Sequence, residues 1–172
     1  MDVSQLSENS LKLKIKKTNL IVNPTEKTPK TEGDAVIATI PDADIDRVKD
    51  YRVFINSTGE YEVGGLKISC VKEDGGFMFI FNSDGKEIAM VDASTLSKIP
   101  ADKVRECAIA LINADIEIPE NVITAMEPRA IVLYGEKAKS AAQSLGKSVS
   151  SSTKVSIAED KLPEETAVYL LS

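Results

Sequence analysis

The sequence contains no histidine, and this is its most informative absence. Histidine is the side chain that enzymes use most often as a general base, and it is the commonest ligand of transition metals. Its absence excludes every Ser–His and Cys–His catalytic pair, and it removes the imidazole ligands that usually hold zinc. The composition therefore argues against a hydrolase of the serine, cysteine or zinc-dependent type.

Cysteine, long apolar runs and a leader-like start are also lacking. Cys70 and Cys107 are the two cysteines, which is too few for a disulfide framework, and both lie in apolar stretches that predict buried thiols. There is no run of roughly 18 apolar residues, so no membrane-spanning helix is expected. The first ten residues (MDVSQLSENS) are polar and have no signal-peptide core. We therefore predict a cytoplasmic protein without a membrane partner.

An excess of basic residues is lacking as well. Lysine and arginine number 21 against 27 aspartates and glutamates, which gives a net charge of −6. Proteins that bind the phosphate backbone usually present a basic face, so a nucleic-acid partner is not expected. The stripe formed by Lys12, Lys14, Lys16 and Lys17 is the one feature that favours such a partner. Its alternation with apolar residues is typical of the solvated face of a half-buried strand.

The pattern along the chain predicts an α/β protein. Short apolar or alternating segments dominate the first half, and strands alternate with short helical segments near 94–98, 119–126 and 136–145. Residues 1–10 are predicted to be a disordered or frayed N-terminus, and residues 11–172 a single domain. Residues 24–33 (PTEKTPKTEG) are predicted to be a mobile loop, and residues 148–153 a serine-rich loop.

Taken in order, several stretches resemble one protein family. Residues 13–24 resemble its early hairpin, and residues 56–65 (NSTGEYEVGG) are similar to its Gly-Pro-Gly-Glu-Tyr-Glu-Val segment. Residues 116–134 and 161–166 resemble its later half and its closing turn and strand. On these stretches the chain resembles the metallo-β-lactamase superfamily, in the branch of small bacterial and archaeal metal-dependent hydrolases related to ascorbate-lactone hydrolases. The resemblance implies a reduced metallo-β-lactamase-like α/β sandwich, rich in strands and with a few short helices.

The residues at the family's first metal-binding motif depart from its pattern. The His-x-His-x-Asp-His motif follows a buried strand, and here that strand is followed by Pro-Asp-Ala-Asp-Ile-Asp-Arg. In this alignment Asp42 and Asp44 replace two histidines, Asp46 matches the aspartate, and Arg47 replaces the last histidine. An arginine in that position places a cation where the metal ion would lie.

The later metal ligands are also reduced in number. Asp92 matches the family's bridging aspartate, whereas Tyr134 or Gly135 occupies the place of its final histidine. At most Asp46 and Asp92 are then retained. Without a metal-bound hydroxide there is no nucleophile for lactone, amide or phosphodiester cleavage. We therefore predict no bound metal or other cofactor and no catalytic residue.

The acidic segment formed by Asp42, Asp44 and Asp46 has two interpretations. Carboxylates at this spacing could bind Mg²⁺ or Ca²⁺, because hard cations prefer oxygen ligands. The simpler interpretation is a helix start, with Asp42 as the N-cap and acidic residues in the first turn.

Two functions remain open from the sequence. The first is a non-catalytic metallo-β-lactamase-like protein that acts as a binding or structural module through self-association or a protein partner. The expected loss of covering helices would leave an exposed sheet face or edge, and this predicts a homo-oligomer. The second is an Mg²⁺- or Mn²⁺-dependent phosphoesterase-type hydrolase whose site is rebuilt from Asp42, Asp44, Asp46 and Asp92.

Overall fold

The computed structural model describes residues 1–118, 120–146, 149 and 151–172. These residues form strands that pair into two large sheets, together with short helices. The strands are β1 (Asp2–Ser7), β2 (Ser10–Ile15), β3 (Thr18–Val22), β4 (Thr31–Glu32), β5 (Ala35–Ile37), β6 (Val48–Lys49), β7 (Val53–Ile55), β8 (Gly59–Val63), β9 (Leu66–Glu73), β10 (Gly76–Ser83), β11 (Lys86–Asp92), β12 (Ile109–Asn113), β13 (Ala130–Tyr134), β14 (Ser151–Ser152), β15 (Lys154–Ser156) and β16 (Ala167–Leu171). The α-helices are α1 (Ala93–Leu96), α2 (Glu120–Ala125) and α3 (Ala138–Ser144).

One sheet has six strands in the order β15-β1-β2-β3-β5-β7. Its first four strands are antiparallel, and β3, β5 and β7 run parallel to one another. In β2, Leu11, Leu13 and Ile15 are fully buried and alternate with lysines, as expected for a strand with one face in the core. The predicted strand from residue 36 to residue 40 is shorter here, because β5 ends at Ile37.

The other sheet has eight strands in the order β14-β16-β13-β12-β11-β10-β9-β8. Strands β8 to β11 form an antiparallel meander, and β11, β12, β13 and β16 are parallel. The turn between β10 and β11 is the predicted Ser-Asp-Gly hairpin, with Asp84 and Gly85 at positive φ. Strands β12 and β13 are apolar on both faces, because one face packs on the six-stranded sheet and the other on the helices.

Two hydrophobic layers hold the sandwich together. The layer between the sheets includes Leu13, Ile37, Phe79, Leu111 and Val132, all fully buried. The second layer lies between the eight-stranded sheet and the helices. Apolar residues from α1, α2 and α3 pack there against β10 to β13 and β16. None of the described helices is long and apolar enough to cross a membrane.

The outer face of the six-stranded sheet is partly covered by the chain itself. Ile21, Val36 and Val48 are buried there beneath half-buried side chains, including Tyr51 and Phe54. Within the described part of the chain, Ile116 is the one exposed large hydrophobic residue. The uncovered apolar face that motivated the prediction of a homo-oligomer is therefore not present in these residues.

Two sequence-based predictions about flexible segments need correction. The predicted frayed N-terminus contains β1, which pairs with β2 on one side and β15 on the other and buries Val3 completely. The predicted mobile loop at 24–33 contains β4 and a buried Thr28. The local sequence of these short polar segments does not predict an ordered strand, because their ordered structure depends on pairing with strands that are distant in the sequence.

The three predicted helical segments are present with small shifts in their ends. Of the predicted helix at 119–126, Pro119 lies outside the described residues. The predicted serine-rich loop at 148–153 includes β14, and Ser148 and Ser150 lie outside the described residues.

Candidate functional site

The candidate site lies where three parallel strands of the eight-stranded sheet end. Asp92, Asn113 and Tyr134 are the last residues of β11, β12 and β13, and they are neighbours in the strand register. In each strand the residues just before this last one are apolar, so a polar side chain follows a buried run. Ligand sites in parallel sheets commonly form at this carboxyl edge.

Asp92 is held by uncharged hydrogen-bond donors. The side-chain amide of Asn113 donates from Nδ2 to Asp92 Oδ1 over 2.9 Å, and the hydroxyl of Thr39 lies beside the carboxylate. Burial raises the pKa of Asp92 above its usual value, Asn113 and Thr39 oppose that shift, and the negative charge of Asp115 adds to it. Asp92 therefore lies in a low-dielectric site, and none of the described residues forms an ion pair with it.

Thr39 reaches Asp92 from the opposite sheet and is itself fixed by Asn23. The backbone N–H of Thr39 donates to Asn23 Oδ1 over 2.8 Å, and Asn23 Nδ2 donates to Thr39 Oγ1 over 2.9 Å. Asn23 follows β3 and has φ of +46°, a left-handed conformation that asparagine tolerates better than most residues. The polar chain Asn23–Thr39–Asp92–Asn113, here called the inter-sheet network, thus joins the two sheets.

Gly135 closes the network on the side of β13. Its φ is +93°, and a Cβ at this position would clash with Asn113 Oδ1 and lie 3.3 Å from the backbone nitrogen of Ala114. Asn113 Oδ1 is buried and accepts no hydrogen bond from the residues that the structure describes. Tyr134 is also buried, and burial together with the charges of Asp92 and Asp115 raises the pKa of its phenol.

The acidic segment does not have the predicted geometry. Asp42 and Asp46 are exposed, and Asp44 accepts a hydrogen bond from Arg47 Nε over 3.2 Å. The short 3₁₀ turn Ile45–Arg47 begins after Asp44 rather than after Asp42, and no side chain caps it. The N-cap interpretation of Asp42 is therefore wrong, whereas Arg47 does neutralise a neighbouring aspartate.

The described residues do not fit the metal centre that the resemblance implies. Among them, no three histidine, cysteine, aspartate or glutamate side chains are placed together as metal ligands. At Asp92, the Asn113 amide donates a hydrogen bond to carboxylate oxygen Oδ1. The four aspartates proposed for a rebuilt site are thus not gathered as one ligand set.

Three residues of the network were missed from the sequence. Asn23, Thr39 and Asn113 carry no catalytic motif, and their partners lie 16 to 21 positions away. A signal was present in principle, because each is a polar residue that ends or follows an apolar run. From the sequence, Asn23 before Pro24 predicts only the end of a strand.

Comparison with solved structures assigns the fold to a known class. A proposed Zn-dependent hydrolase of the metallo-β-lactamase superfamily from Thermotoga maritima matches with a TM-score of 0.75 at 16% identity, over 99% of this chain and 98% of that one. The metallo-β-lactamase fold protein YhfI from Bacillus subtilis matches with a TM-score of 0.56 at 7% identity, over 98% and 95% of the two chains. An isothiocyanate hydrolase from Delia radicum gut bacteria matches with a TM-score of 0.57 at 11% identity, over the same shares.

The chain therefore has the metallo-β-lactamase fold, as the sequence resemblance predicted. No protein-family model matches the sequence, and no curated protein matches it. At such low identities the likeness concerns the fold, and function has to be argued from the site. The narrower assignment to the small hydrolase branch stays a prediction.

Proposed function

We propose that this chain is a non-catalytic protein with the metallo-β-lactamase fold, acting as a binding or structural module. The observation that supports this is the inter-sheet network. Asp92, the matched bridging aspartate, accepts a hydrogen bond from the side chain of Asn113, and the hydroxyl of Thr39 lies beside it. These neutral groups hold the strand ends together. They supply neither the ligands nor the activated water that hydrolysis requires.

Surface electrostatics support the same proposal. In the acidic segment, Arg47 pairs with Asp44, and Asp42 and Asp46 are exposed to solvent. An Mg²⁺ or Mn²⁺ site would need several oxygen ligands around one point. The phosphoesterase alternative therefore requires a rearrangement of both the acidic segment and Asp92.

A cavity beside the network is where the binding module would hold its ligand. It has a volume of about 290 Å³ and is lined by residues that include Ile40, Phe54, Asn56 and Phe77. Thr39 lines the cavity and is hydrogen-bonded to Asn23, so it connects the cavity to the network. A small, largely apolar group with one polar atom matches this lining.

Metal content is the test that separates the two functions. Protein purified without an affinity tag is analysed by elemental mass spectrometry and melted with EDTA, Mg²⁺, Mn²⁺ and Zn²⁺. A site at a hundredfold excess over Kd would stabilise the fold by about 2.7 kcal/mol. We expect no stoichiometric metal and no shift in the melting temperature. Stoichiometric metal with a shift that is lost in Asp92→Ala would overturn the proposal and favour the phosphoesterase.

We also propose that this module assembles by self-association. With little apolar surface exposed among the described residues, the contact would form at a sheet edge, and β8 is an edge strand of the eight-stranded sheet. Its exposed Glu60 and Glu62 would oppose a second copy at low salt. Sedimentation at high micromolar concentration should show a dimer or larger species that strengthens with salt. A monomer under all conditions would contradict this part.

A further inference from the structure

A second cavity lies at the opposite end of the parallel strands from the inter-sheet network. It has a volume of about 560 Å³ and is bounded by α2, α3 and the beginnings of β13 and β16. Its apolar lining comes from Ile123, Ile131, Leu145 and Val168. Cavities of this size with an apolar lining and a few polar groups are typical of small-molecule sites.

Hydrogen bonds between two distant segments fix one wall of this cavity. Arg129 Nε donates to the carbonyl of Pro163 over 2.8 Å, and Thr166 Oγ1 donates to the carbonyl of Pro128 over 2.7 Å. The backbone N–H of Ala167 also donates to the carbonyl of Arg129 over 3.0 Å. The segment that carries Glu164 is thereby fastened to the segment after α2, so the cavity is largely formed before any ligand binds.

Negatively charged side chains outnumber positively charged ones around the opening of the cavity. Glu127 and Glu164 are exposed carboxylates that line the cavity. Arg129 also lines it, but its guanidinium donates from Nε and Nη2 to the carbonyls of Pro163 and Leu162. Two carboxylates thus stand against one guanidinium, which keeps its positive charge and is held by backbone carbonyls. The charged side chains that line the cavity therefore carry one excess negative charge, which favours a cation, and the net charge of −6 attracts cations at longer range.

Glu127 has a backbone conformation that glutamate seldom adopts. Its φ is +47°, and its N–H donates to the carbonyl of Thr124 over 3.0 Å, so it ends α2 in the left-handed conformation. Glycine or asparagine is the usual residue there. Glycine at this position would make the fold more stable than glutamate does. A Glu127→Gly variant therefore removes the carboxylate without weakening the end of α2.

We propose that this cavity binds a small organic cation, an ammonium group carried on an apolar body. The body would contact Ile123, Ile131 and Leu145, and the ammonium would lie between the carboxylates of Glu127 and Glu164. This site is separate from the inter-sheet network and does not depend on whether the chain is catalytic.

The test compares probes that share a body and differ in charge. Phenethylammonium, phenethyl alcohol and phenylacetate are titrated calorimetrically into the full chain at low salt. We expect the ammonium to bind at least about tenfold more tightly than the alcohol, which corresponds to about 1.4 kcal/mol. Phenylacetate should bind more weakly than the alcohol. Equal affinity for all three probes, or no binding of the ammonium at millimolar concentration, would overturn the proposal.

Variants then locate the site. Glu127→Gln and Glu164→Gln should each weaken ammonium binding several-fold and leave alcohol binding unchanged. Glu26→Gln, at an exposed position in the segment after β3, is the matched control and should change neither. Glu127→Gly should raise the melting temperature while it weakens ammonium binding, because it relieves the left-handed strain and removes the carboxylate. Equal weakening by Glu26→Gln would show that only the overall charge matters, and this would overturn the assignment to the cavity.

Discussion

Asn113 and Asp92 end two neighbouring parallel strands as register partners, and the amide of Asn113 donates to the carboxylate of Asp92 over 2.9 Å. The pairing follows from the parallel register, which places the last residues of β11 and β12 side by side. A carboxylate at this position can either join a metal centre or be satisfied by neutral donors. Here Asn113 donates a hydrogen bond to it and Thr39 lies beside it, and the first two predictions concern the consequences.

The first prediction concerns the pH dependence of stability. Burial in the native state raises the pKa of Asp92 above its ordinary value of 3.8, so the native state holds this proton more tightly than the unfolded chain. The contribution of Asp92 to stability is complete below pH 3.8 and is lost as the pH rises through the raised native value. Asp92→Asn cannot ionise and should be more stable than the wild type at neutral pH, with the difference shrinking toward acid.

Urea unfolding of both proteins over a series of pH values measures this difference. Other carboxylates titrate in both proteins and cancel in the comparison. Asp42→Asn, at an exposed position, serves as the control and should change stability by no more than about 0.5 kcal/mol. A difference between Asp92→Asn and the wild type that does not vary with pH would contradict the prediction.

The second prediction concerns Gly135. Alanine there adds a clash with Asn113 Oδ1 to the strain of a φ of +93°. Gly65 is the matched control, because its φ is +81° and nothing lies within 4 Å of its Cβ position. We expect Gly135→Ala to be less stable than Gly65→Ala by at least about 2 kcal/mol in denaturant unfolding. Equal losses would mean that the network can move aside to accommodate the methyl group.

The fold could be predicted from the sequence better than the site could. Apolar alternation in β2 and the continuous runs of β12 and β13 are local patterns, so strands were visible there. The ordered N-terminal strand was not visible, because β1 is polar at most positions and depends on β15, far along the chain. Local patterns predict strands, but they do not report which distant strand completes a sheet.

The site could be predicted only in part for a related reason. The family resemblance matches Asp92 to a bridging aspartate, and the structure places it at the network. The same resemblance places Asp42, Asp44 and Asp46 at the first metal-binding motif, and there Asp44 pairs with Arg47. Asn23 and Thr39 act through side-chain amide and hydroxyl groups whose partners are fixed by the packing of the two sheets.

The third prediction concerns the thiols. Burial raises the pKa of Cys70 to about 11 and that of Cys107 to about 12. A thiol-reactive disulfide at mildly alkaline pH should therefore label neither cysteine in the native protein, because the thiolate is the reacting species. In urea both should react. Rapid labelling of one thiol in the native state would reveal local opening around that strand.

The last prediction tests whether β1 contributes to stability. Val3 is fully buried between the sheets, whereas Ser4, its neighbour on the other face of the strand, is half-buried. Val3→Ala removes two methyl groups from the core and should lower the free energy of unfolding by about 2 kcal/mol. Ser4→Ala should change it by no more than about 0.5 kcal/mol. If both variants matched the wild type in denaturant unfolding, β1 would be frayed in solution, and the six-stranded sheet would have to be stable with β2 at its edge.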